Sequence, residues 1–329
     1  MTGVEAFLAA HGFAAAARTR LASDASFRRY ERLSGGPRPA LLMVCPPGKE
    51  SVAPFVRVAG HLRSLGLSAP EVFAADDAAG LALVEDLGEG TFTRLLAAGE
   101  DEASLYALAV DALAALHRAP APPWAPAWDA RAMAAAAEAT LLDWWWPASF
   151  GTPPDRTVVA SFHDAVAAML APFAGERPVL ALRDFHVDNL LRLEGRQGAA
   201  ACGLIDVQDA GAGHPAYDLA SLLEDARRDV PAALRAAMRA RYLAAAGVPD
   251  EARFEAAFAA HAALRHARVA ALWTRLERRD GKRHYLAHAP RTWALLEAAL
   301  AHPACAPLAA WFDAHVPRPL RRAPGSAAA

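Results

Sequence analysis

The sequence predicts an α+β fold in two lobes, a small β-rich N-terminal lobe and a larger, mainly helical C-terminal lobe. Three observations carry this. Short strand-like segments crowd into the chain before Glu85. From Thr91 onward apolar residues recur mostly at helical spacing. The strand-like exceptions in that second part, residues 179–182, 190–193 and 203–205, surround one polar loop. The expected boundaries are 1–86 for the first lobe and 87–317 for the second, with 318–329 as a loose tail. A chain of 329 residues can bury a core in each.

Residues 27–33 and 40–45 read as strands joined by the turn Ser34-Gly35-Gly36-Pro37, and Pro46-Pro47-Gly48 ends the second. Residues 52–65 place Phe55, Val58, Leu62 and Leu65 at helical spacing, and Gly66 stops that helix. Residues 71–75 and 81–85 complete the strands of the first lobe. The helices expected beyond it cover 103–117, 130–142, 156–170, 216–226, 232–245 and 251–278, with a proline-rich loop at 120–126. No internal repeat is evident. A β-rich lobe, then a helical lobe carrying its chemistry on a hairpin, is the plan of the protein-kinase-like fold.

Composition excludes several classes. The hydrophobic fraction is 54%, much of it alanine, yet no uninterrupted apolar run reaches the ~20 residues of a membrane span. The start, Met1-Thr2-Gly3-Val4-Glu5, lacks the basic segment of a signal peptide. A net charge of −2 gives no global field toward nucleic acid or an anionic membrane. Cys45, Cys202 and Cys305 are odd in number, far apart and outside any CxxC pattern, so a reduced, cytoplasmic protein is expected. Lys49 and Lys282 are the only lysines.

The polar loop is Leu182-Arg183-Asp184-Phe185-His186-Val187-Asp188-Asn189, followed by Gly203-Leu204-Ile205-Asp206. It reads as R-D-x-x-x-x-N, a short apolar hairpin, then an Asp closing an apolar run. Phosphoryl transfer to an alcohol needs this set: one carboxylate, Asp184, to orient and deprotonate the hydroxyl, with Asn189 and Asp206 to hold Mg²⁺. The spacing puts Asp184 and Asn189 on one loop and returns Asp206 beside them. The bland alternative is a polar turn whose Asp and Asn satisfy backbone groups.

The run Arg183-Asp184-Phe185-His186-x-x-Asn189, then Ile205-Asp206-Val207-Gln208-Asp209-Ala210, then His214-Pro215-Ala216-Tyr217-Asp218-Leu219-Ala220, resembles the aminoglycoside phosphotransferase/choline kinase group. Further stretches are similar to its bacterial cell-wall-recycling branch, the N-acetylmuramate/N-acetylglucosamine anomeric kinases. These are Asp24-Ala25-Ser26-Phe27-Arg28-Arg29-Tyr30, Glu85-Asp86-Leu87-Gly88 and Arg279-Asp280-Gly281-Lys282 with Tyr285-Leu286. The likeness runs from about Asp24 to Leu300. It implies ATP as co-substrate, Mg²⁺, an amino-sugar acceptor and a sugar 1-phosphate product for peptidoglycan recycling. A monomer is expected, and the charge balance and short apolar runs give no expectation of a nucleic-acid or membrane partner. The likeness also implies that Asp24, Ala25, Ser26 and Arg28 lie over the nucleotide phosphates, and that Glu85 and Leu87 belong to the hinge that takes the adenine. His186 and Asp218 would support the loop from behind. Asp188, Asp209, Arg279 and Lys282 would face the substrate.

The pattern departs from that group at two places. Leu182 stands where many relatives have His. Met43 stands where the phosphate-binding lysine of the third strand is expected; Arg28, Arg29 or Lys49 could supply that cation, and Glu50 is the one carboxylate between Glu31 and Glu71. Successive strand residues face opposite ways, so only one of Arg28 and Arg29 can serve. A late basic cluster (Arg265, Arg268, Arg275, Arg278, Arg279, Lys282, Arg283, His284) reads either as a rim for an anionic substrate or as a solvated helix face. Trp144-Trp145-Trp146 reads as a sugar-stacking platform or as core. The missing lysine keeps open a nucleotide-binding pseudokinase. Within kinase chemistry an aminoglycoside, choline or homoserine acceptor stays open.

Overall fold

A five-stranded antiparallel sheet organises the N-terminal part: β1 (Ala17–Arg20), β2 (Arg29–Ser34), β3 (Ala40–Val44), β4 (Val72–Asp76) and β5 (Leu81–Glu85), in the order β1-β2-β3-β5-β4. The computed structural model describes residues 3–21, 28–46, 48 and 50–325. Strand alternation sorts the side chains. Leu33, Ala40, Leu42, Val44, Leu81 and Leu83 form one apolar layer with Leu8 and Phe13, the former from helix α1 (Gly3–Ala10). Tyr30, Arg32 and Met43 therefore point to the other face. Helix α2 (Ala53–Ser64) buries Phe55, Val58, Ala59 and Leu62, each large side chain contributing roughly 1.5–3 kcal/mol. Gly80 lets β5 start close to the end of β3: an added Cβ would lie 2.2 Å from the Cys45 carbonyl oxygen.

Contacts divide the chain into two units, Met1–Leu116 with Val187–Ala210, and His117–His186 with Gly211–Ala329. The division falls after residue 116, and it assigns the end of the polar loop, from Val187, and the hairpin that follows to the first unit. The first unit adds α3 (Phe92–Ala97), capped by Thr91 accepting from the Arg94 N–H at 3.3 Å, most of α4 (Glu102–His117), and the hairpin β7 (Leu190–Arg192) and β8 (Cys202–Leu204), while β6 (Val179–Ala181) lies in the other unit.

In the second unit β6 (Val179–Ala181) pairs antiparallel with β9 (Gly211–Gly213). Around this ladder lie α5 (Ala130–Thr140), α6 (Trp146–Phe150), α7 (Arg156–Leu170), α8 (Ala216–Leu223), α9 (Ala232–Ala246), α10 (Glu251–Asp280), α11 (Ala289–Leu300) and α12 (Ala306–His315). The long α10 is the axis, touching α5, α7, α8 and α11. Asp250 caps its start and left-handed Gly281 (φ 69°) ends it. Trp145 and Trp146 are buried among Trp293, Trp311 and Phe150, and the Trp145 indole N–H donates to the Arg322 carbonyl at 2.7 Å, so these two rings are core. The C-terminal stretch is tied down where a loose tail was expected. Buried Arg321 pairs with Glu297 at 2.7 Å and Asp313 at 2.6 Å. No single helix among the described residues is long and apolar enough to cross a membrane.

Candidate active site

In the first unit the β7–β8 register, Leu190 opposite Leu204, carries Asn189 and Asp206 out of neighbouring hairpin ends. The Ile205 N–H donates to the Asn189 carbonyl at 3.1 Å, which fixes the pairing one residue past the strands. Asp206 has a left-handed backbone, φ 57°, and its Oδ1 accepts from the Gln208 amide at 3.0 Å. Asp188 takes a short hydrogen bond from the Thr93 hydroxyl at the start of α3. Exposed Asp209 lies 3.4 Å from the Gln208 amide.

A buried arginine stands beside Asp206. Arg28 is 8% exposed; its Nε lies 2.9 Å from Glu50 Oε2 and its Nη2 donates to Asp206 Oδ1 at 3.4 Å. Met43 itself is fully buried opposite Tyr30. Burial, opposed by Arg28 and helped by the Asp206, Cys45 and Glu50 charges, pushes the Tyr30 hydroxyl up to about 12, so it stays neutral. Arg29 turns away, to Glu31 at 3.4 Å, with 44% of its side chain exposed. Asp24, Ala25, Ser26 and Lys49 lie outside the described residues.

Glu85 and Leu87, with Asp86, Gly90, Leu193 and Arg196, line a hollow of about 330 Å³ at the end of β5. Its charged wall is neutralised internally. Arg196 pairs with Glu85 at 2.6 Å, and Arg32 makes a two-pronged contact to Asp86 at 2.6 and 3.2 Å. The backbone of this segment is therefore held by side chains that face each other.

In the second unit, fully buried Asp218 on α8 accepts from the Leu182 N–H at 2.5 Å and the Arg183 N–H at 2.8 Å. Those bonds brace the loop just ahead of Asp184. Arg183 is left-handed, φ 72°, and its guanidinium lies 3.8 Å over the Trp128 ring. Trp128 in turn crowds Gly211 and Gly213: an added Cβ would come within 3.1 Å of it at both. Buried His186 lies 3.4 Å from an Arg227 guanidinium nitrogen. Burial pushes the half-buried Asp184 carboxyl up. The Arg268, His186, Arg265 and Arg183 charges outweigh that and hold it below the usual carboxylate range.

The basic cluster on α10 reads from sequence either as a substrate rim or as a solvated face. In the structure Arg265 is 3% exposed, and its charge and that of Arg268 lower the Asp184 pKa. The signal was the spacing of Arg268 and Arg275 among Leu264, Leu272 and Leu276 on the same helix. Arg279 is exposed and held by Asp280 at 2.8 and 2.9 Å, and Lys282 follows it as the chain leaves the helix. Glu50, the one carboxylate between Glu31 and Glu71, is the partner of Arg28.

The profile of the "Phosphotransferase enzyme family" matches residues 17–258. The chain is 39% identical to an N-acetylmuramate/N-acetylglucosamine kinase from Caulobacter vibrioides, over 96% of this chain and 97% of that protein. It is 33% identical to an N-acetylmuramate/N-acetylglucosamine kinase from Pseudomonas aeruginosa, over 85% and 82%. Among solved structures, a choline/ethanolamine kinase family protein from Mesorhizobium loti shares the fold: TM-score 0.64 at 16% identity, covering 94% of this chain and 97% of that one. The chain belongs to the phosphotransferase enzyme family, the small-molecule kinases of the aminoglycoside phosphotransferase/choline kinase-like superfamily.

Proposed function

We propose that this chain is an ATP-dependent amino-sugar kinase. It transfers the γ-phosphoryl group of ATP to the anomeric hydroxyl of N-acetylmuramate or N-acetylglucosamine, giving the sugar 1-phosphate in peptidoglycan recycling. The observation that carries the choice of acceptor is the 39% identity, over nearly the whole of both chains, to the Caulobacter vibrioides kinase of that name.

Asp184 orients the sugar hydroxyl and takes its proton. Its depressed pKa keeps it ionised near neutral pH, as a base must be. Asn189 and Asp206 would hold Mg²⁺. An amide oxygen and a carboxylate are hard donors, and Mg²⁺ takes one or two protein ligands beside phosphate and water oxygens. That suits a chain in which no three-residue His/Cys/Asp/Glu metal cluster occurs among the described residues. When bound, the ion offsets charge on the nucleotide phosphates. Arg28 takes the place of the third-strand lysine: the ion pair to Glu50 holds its guanidinium beside Asp206, where a phosphate cation is needed. That arrangement favours an active kinase over a pseudokinase.

The test is ADP release with ATP and Mg²⁺ against a panel of N-acetylmuramate, N-acetylglucosamine, choline, homoserine, an aminoglycoside and no acceptor. Release stimulated by the amino sugars supports the proposal. Stimulation by another alcohol alone, or nucleotide binding without turnover, contradicts it.

A further inference from the structure

We infer that Arg268 and Arg275, on one face of α10, receive the carboxylate of an acidic sugar and so set the preference between N-acetylmuramate and N-acetylglucosamine. This rests on the amino-sugar kinase reading above.

The two arginines are two helical turns apart, so they stand in line on one side of α10. Both are half-buried, and Arg265, one turn before them, is almost wholly so. Arg268 acts on Asp184 at one end and on Arg275 at the other. Burial lowers the Arg275 pKa, and the neighbouring Arg279 and Arg268 lower it further; Asp280 alone works the other way. Asp280, however, is already the two-pronged partner of Arg279. Arg275 has no ion pair among the described residues, and its Nε is sealed from solvent without an acceptor. Keeping a half-buried guanidinium without a counter-ion is costly unless a ligand supplies one.

The chemistry of the two sugars supplies the difference. Both present a C1 hydroxyl for Asp184. N-acetylmuramate adds a lactyl ether at C3, ending in a carboxylate one sugar ring away from that hydroxyl. N-acetylglucosamine has a neutral hydroxyl there. A line of arginines leading away from Asp184 matches the acid and gives nothing comparable to the neutral sugar, since planar guanidinium donors fit a carboxylate.

The experiment measures kcat/KM at saturating ATP for N-acetylmuramate, its methyl ester and N-acetylglucosamine, with the parent, Arg275→Gln and Arg275→Lys. The parent is expected to prefer the acid over its ester by about ten- to a hundred-fold. Arg275→Gln is expected to lower the acid-to-neutral ratio of kcat/KM by a similar factor, mainly through KM for the acid, and Arg275→Lys to restore part of it. Equal losses on both sugars, or a rise in KM for ATP with an unchanged ratio, would overturn the inference and assign Arg275 to structure or to the phosphates. A parent that does not separate acid from ester overturns it without any variant. A parent that phosphorylates neither sugar overturns the amino-sugar reading itself, and this inference with it.

Discussion

Arg28 and Asp206 are joined through a 3.4 Å contact between Nη2 and Oδ1, and Glu50 holds the same guanidinium from the other side at 2.9 Å. Arg29, the next residue, faces the opposite way toward Glu31. Arg28→Ala is therefore expected to raise KM for ATP and lower kcat together, by about ten-fold or more. Arg29→Ala should stay within about two-fold of the parent. Steady-state kinetics at varied ATP decide it, and two variants with equal kinetics would remove Arg28 from the phosphate role.

Asp184→Asn is expected to lower kcat by roughly 10²–10⁴-fold while sparing ATP affinity, because a carboxamide takes no proton. Nucleotide titration alongside turnover separates the two. A variant keeping most of its kcat shows that Asp184 is not the base.

Asp206→Ala and Asn189→Ala are both expected to shift the Mg²⁺ dependence of turnover to higher concentration, Asp206→Ala further because it removes a charge. An unchanged metal titration in both variants counts against the pair as the Mg²⁺ site.

Asp218→Asn is expected to destabilise the second unit. The buried carboxylate accepts from two backbone N–H groups, and an amide turns one acceptor into a donor facing a donor. The cost is about 1–3 kcal/mol. Thermal unfolding and kcat are expected to fall together; an unaltered melting curve would show that the loop does not depend on this brace.

The legible part of this molecule was the part written in short, strongly patterned segments. Strand alternation in 27–33 already separated Arg28 from Arg29, and the polar loop with the following Ile205-Asp206 marked the hairpin between β7 and β8. Helices α1, α11 and α12 were not anticipated. The Ala306–His315 segment is apolar nearly all round, so no helical stripe stands out against the alanine background. Trp144-Trp145-Trp146 left platform and core both open, because three aromatics in a row serve either; a π-helical turn at Leu141–Trp145 directs Trp145 into the core. Arg28 and Glu50 were each legible as candidates, but their partnership was not, because it joins two segments through space and a lone carboxylate at a helix entrance has an ordinary explanation.

Acid stability offers a check on the second unit. His261 stacks on His214 at 4.6 Å, with its Nδ1 at 2.7 Å from the Ala257 carbonyl. Burial and the neighbouring His214 pull its pKa from 6.5 to about 3. A group whose folded pKa is depressed in this way remains neutral in the native state while the unfolded chain takes up a proton. Its contribution to stability is complete above pH 6.5 and is lost as pH falls toward 3. His261→Gln is expected to flatten the decline of the melting temperature across that window. A parallel decline in parent and variant would show that His261 does not govern it.

The central claim is tested most directly by identifying the product. Purified protein, ATP, Mg²⁺ and N-acetylmuramate are incubated, and the sugar phosphate is located by ³¹P and ¹H NMR. The expected result is ADP with phosphate on the anomeric C1 oxygen, and loss of that product in Asp184→Asn. Phosphate on another hydroxyl, or no sugar phosphate from either N-acetylmuramate or N-acetylglucosamine, would contradict the account.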